Sequence, residues 1–353
     1  MQNFHRFALT LGLAGALFGG APVVAEDNGS AARPVATWSH DRSGLTLPAA
    51  LAGFERGDSE QFDEDGYNIG IAFGDPATGS WADLYIYRAA PASVAVWADR
   101  AAAGMFANPI LGDVNVNAVK VTRFTPPNRA GEKSGLRIVT PTKGDLTASG
   151  LALWLHDGWL VKLRMSSKTL EAAALEARMV QFINLVALPD AAHPAPGFAE
   201  IADCTAPMAP GKRARPIKLD MTGSIMLGAM LKVARDKEAK APAGGDAVWC
   251  RDTASQPQFG IYRREGQADH YLIALGDSGT SLWVKAYDMG PLMKPSKGFL
   301  VTQSNGVTEA AYPPFDRLPT PQQVLGLPGR VAPIYSAGLL EENQGTTITV
   351  PSN

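Results

Sequence analysis

The sequence predicts an α+β protein of two domains, each a mostly antiparallel β-sheet packed with one or two helices. Three observations carry this. Short apolar-polar alternations of strand period recur in both halves of the chain. Only a few segments carry helical periodicity. A proline-dense stretch separates the halves, and 353 residues suit two domains of ordinary size. The expected organisation is an amino-terminal α+β domain over 38–189, a linker over 190–216, a second α+β domain over 217–315 and a carboxy-terminal extension over 316–353.

The first 25 residues read as a cleavable signal rather than as fold. "MQNFHRFALTLGLAGALFGGAPVVA" has a weakly positive start at Arg6, an apolar run from Phe7 to Gly20, then glycines, Pro22 and small residues up to Ala25. The run is roughly 14 residues, short of the ~20 that span a bilayer. Cleavage is expected after Ala25, and the product is expected in the periplasm or outside the cell. No later stretch is apolar enough to predict a membrane span once the signal is removed. Residues 26–36 read as a loose polar leader.

From Trp38 the chain turns strand-rich. In "NIGIAFGDPATGSWADLYIYRA", Ile69, Ile71 and Phe73 share one face, and Leu84 and Ile86 share another, opposite Tyr85 and Tyr87. Gly, Asp and Pro between the runs predict a hairpin. "PASVAVWADRAAAGMFA" is alanine-rich and predicts a helix with Pro91 in its first turn. Strands resume at "VKVTRF", "SGLRIVTPT" and "ASGLALWLHDGWLVKLRMSS", the last folded at His156-Asp157-Gly158. "KTLEAAALEARMVQFINLVALP" predicts a helix with the stripe Leu175, Met179, Phe182, Ile183 and Val186, capped by Ser167 and stopped by Pro189.

Prolines at 189, 194, 196, 207, 210 and 216 then exclude regular structure. This linker holds a short basic run, Lys212, Arg213 and Arg215. The second domain opens with the helix "SIMLGAMLKVARDKEAKA", with Leu227, Met230, Leu231 and Ala234 as its apolar face. Strands follow at "AVWCRDT", "FGIYRRE", "HYLIAL", "SLWVKAYD", "GFLVTQS" and "VTEAAY", and "PTPQQVLGL" adds a short helix. The last residues are polar and read as loose. "LHDGWLVKLRM" and "LGDSGTSLWVKAYD" echo one another, each placing a turn before an apolar-Lys-apolar strand.

Charge and cysteine usage narrow the function classes. The formal charge is −2, and loss of Arg6 with the signal lowers it by one. A surface so nearly balanced argues against a general binder of nucleic acid or anionic membranes. Two cysteines, Cys204 and Cys250, are expected to form a disulfide in an oxidising compartment. Closing a loop of about 46 residues contributes on the order of 4 kcal/mol by chain entropy. No CxxC, HxH or HxxxH pattern indicates zinc. Asp63, Asp65 and Asn68 are oxygen donors in an acidic stretch, but Gly66 comes too early for a calcium loop and no glutamate closes it. There is no phosphate loop and no dinucleotide fingerprint, so neither metal nor cofactor is expected.

Gly276-Asp277-Ser278-Gly279 resembles the segment around the nucleophile of chymotrypsin-like proteases. The resemblance covers four residues and departs at Thr280 and Ala274. His193 sits in a proline-rich linker too close in sequence to serve Ser278 from a second barrel; His40, His156 and His270 remain as partners through folding. The alternation of Tyr271, Ile273 and Leu275 into the turn, and of Leu282, Val284 and Ala286 out of it, favours a hairpin tip instead. The residues 44–189, through "LTLPAALAGFERG", the "IGIAFGDPATGSWADLYIYRA" hairpin and "DGWLVKLRMSSKTLEAAALEARMVQFINLV", resemble PsbP/Mog1-like α/β-sandwich modules of exported bacterial proteins. That resemblance implies a binding or assembly role and transfers no site residues.

The expected function is therefore non-catalytic: an exported cell-envelope protein binding a protein partner or a small ligand. The aromatics Tyr85, Tyr87, Trp283 and Tyr287 are the candidate lining of a ligand groove. A secreted serine hydrolase using Ser278 is the alternative, and an inhibitor or chaperone acting through an exposed strand edge is a third reading.

Overall fold

Alternation of apolar and polar side chains sets the strands, and the residues between them set the order of pairing. The computed structural model describes residues 37–348 apart from 113, 115–118, 128–132, 194, 196, 209–210, 241–247, 265–266, 268, 289–295 and 341–344. The expected signal, the leader to residue 36 and the last five residues lie outside the described residues.

β1 (Trp38–His40) and β2 (Leu45–Leu47) form a ribbon. β3 (Ala50–Leu51), β4 (Phe54–Gln61), β5 (Asn68–Asp75) and β6 (Ser80–Arg88) run as an antiparallel meander. α1 (Val94–Phe106) then carries the chain to the far edge of the same sheet. There β7 (Lys120–Phe124), β8 (Gly135–Pro141), β9 (Ala148–His156) and β10 (Trp159–Ser167) meander back until β10 pairs with β6. The order in this eight-stranded sheet is β3-β4-β5-β6-β10-β9-β8-β7. At the β9–β10 turn Asp157 and Gly158 both take positive φ, 44° and 77°, the pair of left-handed residues that a two-residue hairpin demands.

α2 (Ala172–Leu185) covers one face of this sheet and α1 the other. The α2 stripe Leu175, Met179, Phe182 and Ile183 is buried against Ile69, Ile71, Phe73, Leu84, Ile86, Val161 and Leu163. Phe182 meets Phe73 and Phe54 edge-on, with ring centres 5.0 and 6.0 Å apart. Central β9, covered on both sides, is buried at all nine residues.

Two expected caps are corrected. Ser167 does not cap α2: it ends β10, and its hydroxyl accepts the Thr169 and Leu170 N–H groups, closing the turn before Glu171, the residue at the cap. Pro91 lies before α1 rather than within its first turn; Ser93 caps the helix by accepting the Val96 N–H.

The second sheet is a nine-stranded meander. It runs β11 (Ala202–Asp203), β12 (Trp249–Arg251), β13 (Phe259–Arg264), β14 (Tyr271–Leu275), β15 (Ser281–Asp288), β16 (Lys297–Ser304), β17 (Thr308–Ala311), β18 (Tyr335–Gly338) and β19 (Thr346–Ile348). All pairs are antiparallel except β11–β12. The segment expected as an extension thus supplies β18 and β19, and α4 (Pro321–Leu325) packs Val324 into the core with Tyr271, Ile273 and Val301.

α3 (Met221–Lys240) lies on the opposite face at the β16–β19 end. Its expected apolar face is rotated. Leu227 is buried and Leu231 packs beside it, but Met230 and Ala234 are exposed, and Ser224 and Gly228 face the sheet instead. The presumed linker is not simply solvated either. Phe198 is buried beside α1 and Ala214 within the second sheet's core, while Lys212, Arg213 and Arg215 stay exposed.

The described residues from Thr37 onward hold together as one compact unit. The reason is a shared core. Val94, Trp97, Ala98 and Ala101 of α1 pack with Leu151 and Leu153 of the first sheet and with Tyr262, Leu272 and Ala274 of the second.

Candidate functional site

Ser278 sits in the β14–β15 turn, where the alternation on either side places it. Its hydroxyl donates 2.9 Å back to the Leu275 carbonyl and accepts from the Thr280 N–H. Three of the histidines are engaged elsewhere. His40 bonds Ser43 and the Gly66 carbonyl, His193 lies near Asp157, and His270 bonds Asp269 and Gln267. None of these bonds reaches Ser278, so its hydroxyl satisfies its own turn.

The neighbouring Asp277 is the consequential residue of that turn. On β6 and β10 the register sets Tyr85 opposite Lys162 and Asp83 opposite Arg164, all on the face turned toward the second sheet. Lys162 is buried, with Nζ 4.5 and 5.1 Å from the ring centres of Tyr85 and Tyr87. It donates to Asp277 at 3.0 Å, and Arg164 bonds the same carboxylate oxygen. Burial alone would push the Asp277 carboxyl up; the two cations outweigh it and hold the pKa well below the carboxylate range. Burial also lowers Lys162 and pushes Tyr85 up to about 12.

This corrects the expected ligand groove. Tyr87 is 2 % exposed, so it belongs to the inter-sheet contact and not to a surface. Tyr85 and Tyr87 line a buried cation; Trp283, on the second sheet, packs against the same core cluster, and Tyr287 packs against the cluster under α3. The four aromatics do not form one site.

Trp283 forms part of a real groove. On its face of the second sheet, α1 covers one end and α3 the other, and an open cavity of about 620 Å³ remains between them. Arg264, Asp269 and His270 line one side, Lys285 and Glu309 another, and Thr302, Ser304 and Trp283 the floor. Ala90, from the chain leaving the first sheet, closes the cavity, and its N–H donates 2.8 Å to the Gly279 carbonyl. That approach requires glycine: a Cβ on Gly279 would stand 2.5 Å from the Arg88 carbonyl oxygen.

Two cations in the groove rest on tryptophans. Arg264 lies 5.5 Å over Trp249, its cross-strand partner, and Lys285 lies 4.3 Å over Trp283, its same-face neighbour. The two indoles meet edge-on at 5.4 Å. Such contacts fix the cation stems and add attraction between charge and ring. The Cys204–Cys250 disulfide ties β12 to the segment after β11, directly beside Trp249. A second cavity of about 210 Å³ abuts the first across Lys285, Thr302 and Glu309, and adds Leu231, Ala234, Tyr287 and Leu300.

The acidic stretch plays a local part: the Asp63 carboxylate accepts the Tyr67 N–H. Among the described residues no group of three or more His, Cys, Asp or Glu side chains is placed to hold a metal. No described helix is long and apolar enough to cross a membrane. Sequence reasoning found Trp283 and Tyr287 but missed Arg264, His270, Lys285 and Glu309. The spacing Trp283-x-Lys285 put two of these residues on one face; nothing in the sequence joined them to Arg264 or Glu309.

No protein-family model matches the chain, and no curated protein and no solved structure is significantly similar to it.

Proposed function

We propose that this is a non-catalytic, exported cell-envelope protein that binds a small ligand in the groove over Trp283. The observation carrying the reading is the cavity of about 620 Å³ with cations seated on paired indoles and hydroxyls on its floor. Concave sites with a few convergent polar groups on an aromatic base are where small ligands bind. The disulfide supports residence in an oxidising compartment. Ser278, hydrogen-bonded within its own turn, supports the non-catalytic side of the reading.

The test is retention from an extract. Purified protein is incubated with small molecules from an envelope extract, washed and denatured, and the released compounds are identified by mass spectrometry. Wild type should retain a compound that Thr302→Trp, which fills the groove floor, does not. Equal retention by both proteins, or none by either, would overturn the groove. Labelling by a fluorophosphonate that Ser278→Ala abolishes would replace the reading with a hydrolase.

A further inference from the structure

The groove is chemically two-ended, and we infer that its ligand is an amphiphilic anion: an acidic oxygen head at Arg264 and an apolar tail under α3. This rests on the proposed binding role and names the class of ligand that fits it.

The head end follows from how the charges are already committed. Asp269 is taken up by His270, whose Nδ1 lies 2.8 Å from Oδ1. Arg264 is exposed, and the Trp249 ring supports its flat guanidinium. Among the described residues no carboxylate lies within ion-pair distance of it. A planar fork of donors held against a ring is suited to an oxyanion with two acceptor oxygens. The Thr302 and Ser304 positions on the floor lie in the same chamber.

The tail end follows from the abutting cavity. Beyond the shared Lys285 and Glu309, the lining changes to Leu231, Ala234 and Leu300 with the Tyr287 ring. An apolar wall beside a polar chamber is favourable only to a ligand that is itself divided in this way, because a fully polar one would leave its groups unpaired there.

Octanoate, butyrate and 1-octanol test the two ends, with binding to the purified protein read by titration calorimetry. Octanoate should bind saturably and be displaced by the compound retained from extract. Arg264→Gln should weaken octanoate roughly 10- to 100-fold, the range for losing a hydrogen bond to a charged group. Ala234→Trp, at an exposed helix position bordering the second chamber, should weaken octanoate by about tenfold yet leave butyrate unchanged. Octanol, lacking the head, should bind far more weakly. Failure of octanoate to saturate, indifference to Arg264→Gln, or octanol binding as tightly as octanoate would each overturn the inference. The groove reading is judged separately: retention from extract of a compound without an apolar tail keeps the groove and removes the amphiphile, whereas no retention removes both.

Discussion

Asp277 shows what the Gly-Asp-Ser-Gly letters are for. Its carboxylate joins Lys162 and Arg164 across the two sheets, in a site where Lys162 is 5 % exposed. Removing one partner of such a pair leaves a buried charge uncompensated. Asp277→Asn should therefore cost about 3 kcal/mol at pH 7, somewhat less than for a fully enclosed pair because Asp277 is partly open. The pH dependence has a definite sign. The folded carboxyl titrates below its unfolded value, so its stabilisation is complete above the unfolded pKa near 3.9 and drains away as pH falls below it. Denaturant titrations from pH 6 to pH 2 should show wild type losing stability more steeply than Asp277→Asn. Parallel curves would mean that the pair contributes nothing. Ser278→Ala should be close to neutral, since it removes only two exposed hydrogen bonds within the turn.

At the scale of elements, what could be read from the sequence was what a single segment decides for itself. The α2 stripe was legible because only one face of that helix is apolar; Phe182, fully buried between Phe54 and Phe73, belongs to it. Phe182→Ala should cost roughly 3–5 kcal/mol, and a loss below 1 kcal/mol in chemical denaturation would contradict this packing. α3 was misread for the opposite reason. From Met221 to Val233 it is apolar nearly all round, so periodicity does not choose a face. The sheet chooses it, through Gly228, where a Cβ would stand 3.0 Å from Ile348. Met221, Ile225, Met230 and Val233 are left exposed as a result. The groove was illegible because it depends on register: Trp249 meets Arg264 and Ser304 meets Glu309 only once β12–β13 and β16–β17 have paired. The disulfide was legible because composition left the two cysteines no other partner, and its geometry fits, with Cα atoms 4.8 Å apart. Replacing both cysteines by serine should lower stability by about 4 kcal/mol through the freed unfolded chain.

At the scale of the whole molecule, the question is whether two sheets behave as two domains or as one folding unit. Their contact joins a shared apolar core to buried charged groups that bond across it. α1 belongs by sequence to the first sheet, yet Trp97, Ala98 and Ala101 lie in a core that also holds Tyr262, Leu272 and Ala274 of the second. Arg100, 2 % exposed, donates to the carbonyls of Gly276, Gln256 and Pro257 at 3.0, 3.2 and 2.6 Å, gripping two turns of the second sheet from one helix position. Asp99 next to it accepts from the Tyr262 hydroxyl and from Arg251, both at 2.6 Å. Parting the sheets breaks these bonds and exposes the shared apolar core at the same time, so the two sheets are coupled. Wild type should therefore unfold in one calorimetric transition whose van't Hoff and calorimetric enthalpies agree. Arg100→Ala removes the side-chain donor of the Gly276 and Pro257 carbonyls and the grip on both turns, so it should lower the midpoint and split the transition, with the two sheets melting apart. Asp277→Asn should act in the same direction, because its bonds cross the same boundary. Two resolved transitions in wild type, or an Arg100→Ala protein that melts at the unaltered temperature, would show that the sheets are joined by the chain alone.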